Sequence, residues 1–182
     1  MRVIPTDLPE VLLLEPRIYT DSRGQFYEAF NLQAFEDAGL PTAFVQDNVS
    51  RSQKNVLRGL HYQIDRAQGK LIRVSSGTIL DVVVDLRRRA PTFGRASTFA
   101  LAAEAPRLLW IPPGFAHGFL VRSDEAEVTY KVTDIYSPAH ERTIAWDDPD
   151  LAIDWPVASS KATLSDKDRR MPAFRSLPGY FE

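Results

Sequence analysis

The chain has 182 residues and a formal net charge of −2, a length that one domain with its own core accommodates. Apolar residues make up 44% and charged ones 25%, the balance of an ordinary globular protein, and so small a net charge supplies no field for nucleic acid or an anionic membrane. With no cysteine in the chain, disulfides and thiolate metal sites are excluded.

In chain order, the first apolar run is Val11-Leu12-Leu13-Leu14, bracketed by Glu10 and Glu15. It is too short for a signal core or a spanning helix, so the expected location is cytoplasmic. Phe26-Tyr27-Glu28 is a second strand-like run. The pattern predicts one helix, Leu32 to Ala38, with Asn31 as its cap and Gly39 as its stop. Two strand-like runs follow, Val56 to Gln63 and Gln68 to Val74, joined by a short turn. They carry Arg58, His61, Gln63, Gln68, Lys70 and Arg73, and a Lys in particular is almost never buried unless it is paired. A base and cations on strands facing a cavity point to proton removal beside an anion-stabilising group, and so to an enzyme.

Ile79 to Leu86 alternates, with Leu80, Val82, Val84 and Leu86 on one face and Ile79, Asp81, Val83 and Asp85 on the other. Two carboxylates beside Val83 are out of place in a plain core, and one of them suits the orientation of a histidine, His117 or His61. Gly77 ahead of this run and Pro91-Thr92-Phe93-Gly94 after it supply turn chemistry. Further short runs span Ala96 to Leu101, Arg107 to Ile111, His117 to Val121 and Val128 to Asp134. Short strands punctuated by Gly and Pro indicate an all-β antiparallel sandwich or barrel. No linker divides the chain, and thirteen prolines, several near the C-terminus, suggest that Asp147 onward wraps over the barrel as loops and short turns.

Two segments resemble the paired motifs of the cupin jelly roll. Pro112-Pro113-Gly114-Phe115-Ala116-His117 fits a Pro-x-Gly-x-x-His pattern, and Gly59 to Lys70 stands in the place of the other motif. Where metal-binding cupins carry His-x-His and then Glu, this chain has His61-Tyr62-Gln63 and then Gln68. A divalent ion needs several deprotonated N or O donors at short distance, which two amides do not supply. The expectation is a cupin-type jelly-roll barrel of antiparallel strands with a few short helices and no metal.

Longer blocks carry a closer resemblance. They are Asp21-Ser22-Arg23-Gly24-Gln25-Phe26-Tyr27-Glu28, Gln46 to Ser52, Leu57 to Gln63, Lys70 to Val74 and Asp81 to Asp85. Pro91 to Gly94, Pro113 to Phe119, Tyr130-Lys131, Trp146 to Pro149, Ile153 to Pro156 and Leu164 to Asp168 follow in order. In this set and order the chain resembles the dTDP-6-deoxyhexose epimerase family, the dTDP-4-dehydrorhamnose 3,5-epimerases, over essentially Met1 to Pro172.

The resemblance implies roles that the residues alone leave open. A lone strand histidine is more often a satisfied core residue, but here His61 would be the general base, since an imidazole titrates near neutrality. Asp168 lies in a charged run, Ser165 to Arg170, that by itself reads as solvated surface; the resemblance makes it the carboxylate orienting His61. Tyr130, on its own an unremarkable strand residue, would return a proton from the opposite face of the sugar. Lys70 would hold the enolate oxygen with Arg58 close by. Arg23, Glu28, Gln46, Asn48, Arg58, His117, Glu141 and Lys167 resemble the family's substrate-binding positions. The implied substrate is dTDP-4-dehydro-6-deoxy-D-glucose, converted to dTDP-4-dehydro-L-rhamnose by proton abstraction and return at C3 and C5. The C4 carbonyl is the electron sink, so no cofactor is implied. The implied assembly is a homodimer exchanging an N-terminal strand, a role suited to Val11 to Leu14 and Phe26 to Glu28. Three alternatives stand beside this reading: an epimerase of one carbon only, a metal-dependent cupin, and a non-catalytic sugar-binding jelly roll. Ile135-Tyr136 also departs from the family's frequent Tyr-Tyr at this point, which bears on which nucleotide sugar is bound.

Overall fold

The computed structural model describes residues 1–182. Its elements in chain order begin with β1 (Arg2–Pro5), β2 (Leu12–Glu15), β3 (Ile18–Asp21), β4 (Gly24–Tyr27) and α1 (Leu32–Asp37). Then come β5 (Gln46–Gln53), β6 (Leu57–Gln63), β7 (Lys70–Ser76), β8 (Thr78–Asp85) and β9 (Ala96–Ala102). The last strands are β10 (Leu108–Ile111), β11 (Phe115–Val121), β12 (Glu125–Val132) and β13 (Glu141–Thr143). All strand pairing is antiparallel, in a six-stranded sheet ordered β1-β2-β10-β7-β12-β5 and a five-stranded sheet ordered β13-β6-β11-β8-β9. The β3–β4 hairpin stands apart as a third, two-stranded sheet. This is the jelly-roll layout expected from the short, turn-punctuated strands.

The strand alternation decides the layers. On β8, Val82 and Val84 pack outward with Leu57, Leu60, Tyr62, Trp146 and Trp155, and Leu80 packs against the same cluster. Ile79 and Val83 point the other way, joining Ile72, Val74, Phe115, Phe119 and Val128 between the two sheets. The outer face of the six-stranded sheet is covered by the helix, where Phe35 packs with Leu14, Leu71, Leu108 and Trp110. The helix begins where expected: the Asn31 side chain accepts a hydrogen bond from the Ala34 N–H at 3.1 Å, and the chain leaves the helix at Gly39 with φ of 68°. Residues 147–182 contain no strand and two single 3-10 turns, Ser159–Lys161 and Phe174–Ser176. Leu151, Trp155 and Ala162 from this segment are buried against the outer face of the five-stranded sheet. No helix is long and apolar enough to cross a membrane.

The two runs with the conspicuous polar residues are not a hairpin. β6 lies in the five-stranded sheet and β7 in the six-stranded one, so residues 64–69 cross from one wall of the barrel to the other. His61 and Lys70 therefore sit on opposing walls.

Candidate active site

Strict alternation along β6 would put Arg58 and His61 on opposite faces, being three residues apart. Both face the interior because β6 carries one extra residue. His117 on β11 is opposite His61 and Phe119 is opposite Arg58, so Gly59 and Leu60 together face Gly118 alone. The bulge requires glycine. Gly59 has φ of 126°, and a Cβ there would come within 2.5 Å of the Gly118 Cα. With the phase reset, Arg58, His61 and Gln63 face inward while Leu57, Leu60 and Tyr62 enter the outer core.

A cavity of about 350 Å³ opens between the sheets at this level. Its wall takes His61, Tyr130, Lys70, Gln46, Asn48, Arg58, His117 and Glu141 from among the expected site residues. It also includes Ser50, Tyr62, Gln63, Gln68, Phe119 and Tyr136. β5 contributes by period-two alternation: Gln46, Asn48, Ser50 and Ser52 point inward, while Val49 is 65% exposed on the outside. This inversion of the usual pattern was the signal that would have found Ser50 and Ser52. The Ser52 hydroxyl accepts from Arg58 Nε at 3.0 Å, and Ser50 Oγ, buried in the wall, has no partner within the chain.

His61 Nε2 lies 2.7 Å from Asp168 Oδ1. An ionised carboxylate only accepts, so Nε2 carries the proton and Nδ1 keeps a free lone pair. Burial by itself would raise the Asp168 carboxyl, but His61 above all, with Ser165 and Lys167 adding to it, brings it below its usual value. Asp168 is buried, and His61 keeps 29% of its side chain accessible. The apparent surface run Ser165 to Arg170 thus folds back so that one carboxylate reaches the barrel mouth.

Lys70, on the opposing wall, donates from Nζ to the His61 carbonyl at 3.3 Å. Burial pushes its ammonium down to about 8, with Asp81 and Glu141 acting in the opposite sense. Asp81 is fully buried; its Oδ2 lies 2.8 Å from His117 Nε2 and its Oδ1 has no hydrogen-bond partner. Burial raises this carboxyl, against the pull of His117 and Lys70. Of the two carboxylates on the inner face of β8, Asp81 orients a histidine, and that histidine is His117. Asp85 is instead held by Arg87 and Thr92, at 2.8 and 2.6 Å.

Tyr130 stands on β12 in the six-stranded sheet, across the cavity from His61. Burial raises its phenol above the usual value, with Arg58 opposing and Glu141 reinforcing, so Tyr130 is protonated at neutral pH. Glu141, on β13, is raised by burial but held below its usual value overall by Lys167, which forms an ion pair with it, and by the Tyr136 hydroxyl at 2.8 Å. Lys167 and Asp168 are therefore both set against the cavity through one intervening side chain.

Arg23 and Glu28 are not at this cavity in the single chain. Arg23 lies at the tip of the β3–β4 hairpin, 88% exposed and paired with Asp21 at 2.6 Å. Glu28 accepts from the Asn31 side chain at 3.0 Å. No group of three or more His, Cys, Asp or Glu side chains converges to hold a metal ion. Gln63 and Gln68, which stand at the metal-motif positions, spend their carboxamides on the backbone of residues 134–137 and of Arg66.

The dTDP-4-dehydrorhamnose 3,5-epimerase family model matches residues 5–176. The chain is 54% identical over 175 residues to the enzyme of that name from Pseudomonas aeruginosa, covering 96% of each. Its fold superposes with a TM-score of 0.93 on a Legionella pneumophila dTDP-6-deoxy-D-glucose-3,5-epimerase in complex with dTDP-4-keto-L-rhamnose, at 47% identity over 97% of this chain and 94% of that one. A Streptomyces bikiniensis 3′-monoepimerase in complex with dTDP-quinovose is similar at a TM-score of 0.89 but only 35% identity, over 94% of this chain and 87% of that one.

Proposed function

Because the chain belongs to the dTDP-4-dehydrorhamnose 3,5-epimerase family, whose model spans residues 5–176, we propose that its cavity binds dTDP-4-dehydro-6-deoxy-D-glucose and inverts C3 and C5. The protein is an isomerase of dTDP-rhamnose biosynthesis, and we place it in the cytoplasm. The single observation that carries the residue assignment is the placement of His61 and Tyr130 on opposite walls of one cavity, with Lys70 on the strand next to that of Tyr130 and its Nζ reaching the His61 carbonyl.

The hydrogens on C3 and C5 flank the C4 carbonyl and are acidified by it. His61 Nδ1 takes one of them, and the electron pair moves onto the C4 oxygen as an enolate. Lys70 meets that negative charge as it develops, in a site where burial strengthens the attraction. Asp168 steadies the imidazolium. Tyr130 then delivers its phenolic proton to the same carbon from the other face, and the enolate collapses back to the ketone with that centre inverted. Solvent takes the proton from His61 and restores the one lost by Tyr130, and a repeat at the second carbon completes the product. Arg58, Gln46, Asn48, Ser50 and His117 contact the sugar and diphosphate. The C4 carbonyl stores the electrons throughout.

The assembly that suits this chain is a homodimer. The β3–β4 hairpin extends with Tyr19 50% and Phe26 67% exposed, and Val45, just ahead of edge strand β5, and Val49, on it, are 57% and 65% exposed. A partner covering these apolar surfaces would bring Arg23 and Glu28 toward its neighbour's cavity. Sedimentation should give twice the chain mass, and Phe26→Asp should give monomers; a monomeric parent protein contradicts the dimer.

The catalytic reading is tested by coupled reduction of the product. The parent protein should yield the L-rhamnose nucleotide, and His61→Asn should lose turnover while binding dTDP as the parent does. Undiminished turnover by His61→Asn overturns the base assignment.

A further inference from the structure

Asp134, Ile135 and Tyr136 make no backbone–backbone hydrogen bond, although they follow directly on strand β12. Three glutamines from three different places take over that work. Gln63, only 5% exposed, donates to the Ile135 carbonyl at 3.2 Å and accepts from the Ser137 N–H at 2.9 Å. Its second donor hydrogen goes to the Arg66 carbonyl at 2.6 Å. Gln68 donates to the Asp134 carbonyl at 2.8 Å, and the Gln46 side chain accepts from the Tyr136 N–H at 2.9 Å. Four successive residues of a loop are thus held in place by carboxamides lining the cavity.

The loop so held carries Tyr136 into the cavity wall, where its hydroxyl donates to Glu141. Glu141 pairs with Lys167, the residue before Asp168, which in turn orients His61. A carboxamide suits this task because it offers two donors and an acceptor and carries no charge, so it can be spent entirely on backbone groups. A histidine or a glutamate at the same positions would serve a metal and could not make the same set of bonds.

We propose that Gln63, with Gln68 and Gln46, is a positioning device that fixes the Tyr136 wall over the bound sugar and so retains the half-converted intermediate until the second carbon is inverted. This rests on the two-carbon reaction proposed above. The physical reason is kinetic: after one inversion the sugar is already a stable 4-ketone and is free to leave. The number of centres inverted per visit is set by release competing with the second deprotonation. A wall held by several hydrogen bonds slows release, and none of these carboxamide bonds is made to His61, Lys70 or Tyr130. Loosening it raises the share of sugars that depart after one event.

The test compares the parent protein with Gln63→Leu and Gln68→Leu, using dTDP-4-dehydro-6-deoxy-D-glucose in D₂O at low conversion. NMR reads singly and doubly deuterated sugar, with the melting temperature and dTDP affinity of each variant measured alongside. Double exchange by the parent protein supports the two-carbon reading itself; single exchange by the parent refutes that reading and the retention role with it, whereas double exchange by the parent with an unchanged ratio in the variants overturns the clamp alone. The expected result is a rise of about tenfold in the ratio of singly to doubly exchanged sugar for Gln63→Leu, the scale set by losing a buried hydrogen-bond set. A smaller rise is expected for Gln68→Leu, which loses one bond. If Gln63→Leu does not fold, the Gln68→Leu ratio decides the matter. An unchanged ratio with both carbons slowed together overturns the proposal, because a purely structural loop would lower all rates and leave the partition alone.

Discussion

Replacing Asp168 with Asn keeps the shape of the side chain and removes its charge. The carboxylate sits 2.7 Å from His61 Nε2 with 5% of its side chain exposed, so solvent screens the pair little from that side. A hydrogen bond to a charged group is worth about 1.5–3 kcal/mol, which is a factor of about 10–150 in rate if it is lost when the imidazolium forms. The Asn oxygen can still accept from Nε2–H, so the tautomer survives and the loss should stay within that range. Asp168 is not part of the cavity wall, so KM should change little and the deficit should fall on kcat. Steady-state kinetics with dTDP affinity as a control measures both. Unchanged kcat, or a loss confined to KM, would mean that Asp168 does not stabilise the imidazolium. The same pair makes a stability prediction. Because the folded state holds the Asp168 carboxyl below its usual value, its contribution is complete above the ordinary carboxylate range and disappears as pH falls through the lowered value. The melting temperatures of the parent and Asp168→Asn should therefore differ at neutral pH and converge in acid.

Lys70 must be charged to hold the enolate, and burial brings it to about 8, so kcat should fall as pH rises through about 8. Lys70→Met should be slow at every pH and lack that alkaline limb; a limb that persists in this variant assigns it to another group. Tyr130→Phe should lose epimerisation while still washing deuterium into the substrate with retained configuration, since proton removal by His61 does not need the phenol; inverted product from this variant rules out Tyr130 as the acid. Gly118→Ala puts a Cβ 2.7 Å from the Arg58 carbonyl oxygen, and overpacking of this kind costs about 1–3 kcal/mol. A denaturant midpoint equal to the parent's would show that the strands at the bulge can part without cost.

The sequence carried the fold through its alternation. The faces of Ile79 to Leu86 divide as the layers do, and Asn31 and Gly39 bound the helix, because these are local consequences of backbone geometry. What was not legible arises from contacts distant in sequence or from a break in local period. Nothing in Gly59-Leu60 announces which strand will face them, yet that bulge is what turns Arg58 and His61 to the same side. The separation of β6 and β7 into different sheets has the same origin, since a short connection fits a hairpin and a crossover equally well. Asp168 in a charged run looks solvated until the fold returns it to His61 across 107 residues. Gln63 and Gln68 show in the sequence only as poor metal ligands, because most of their partners are backbone groups of a loop about 70 residues away. Arg23 was expected at the site, and in the single chain it lies on an exposed hairpin instead.

The most direct measurement of the central claim is the configuration and isotope content of the sugar formed from dTDP-4-dehydro-6-deoxy-D-glucose in D₂O by the parent protein. The account predicts solvent deuterium at both C3 and C5, both centres inverted, and no deuterium at either carbon with His61→Asn. Deuterium at neither carbon with the parent protein, or undiminished exchange with His61→Asn, would contradict it.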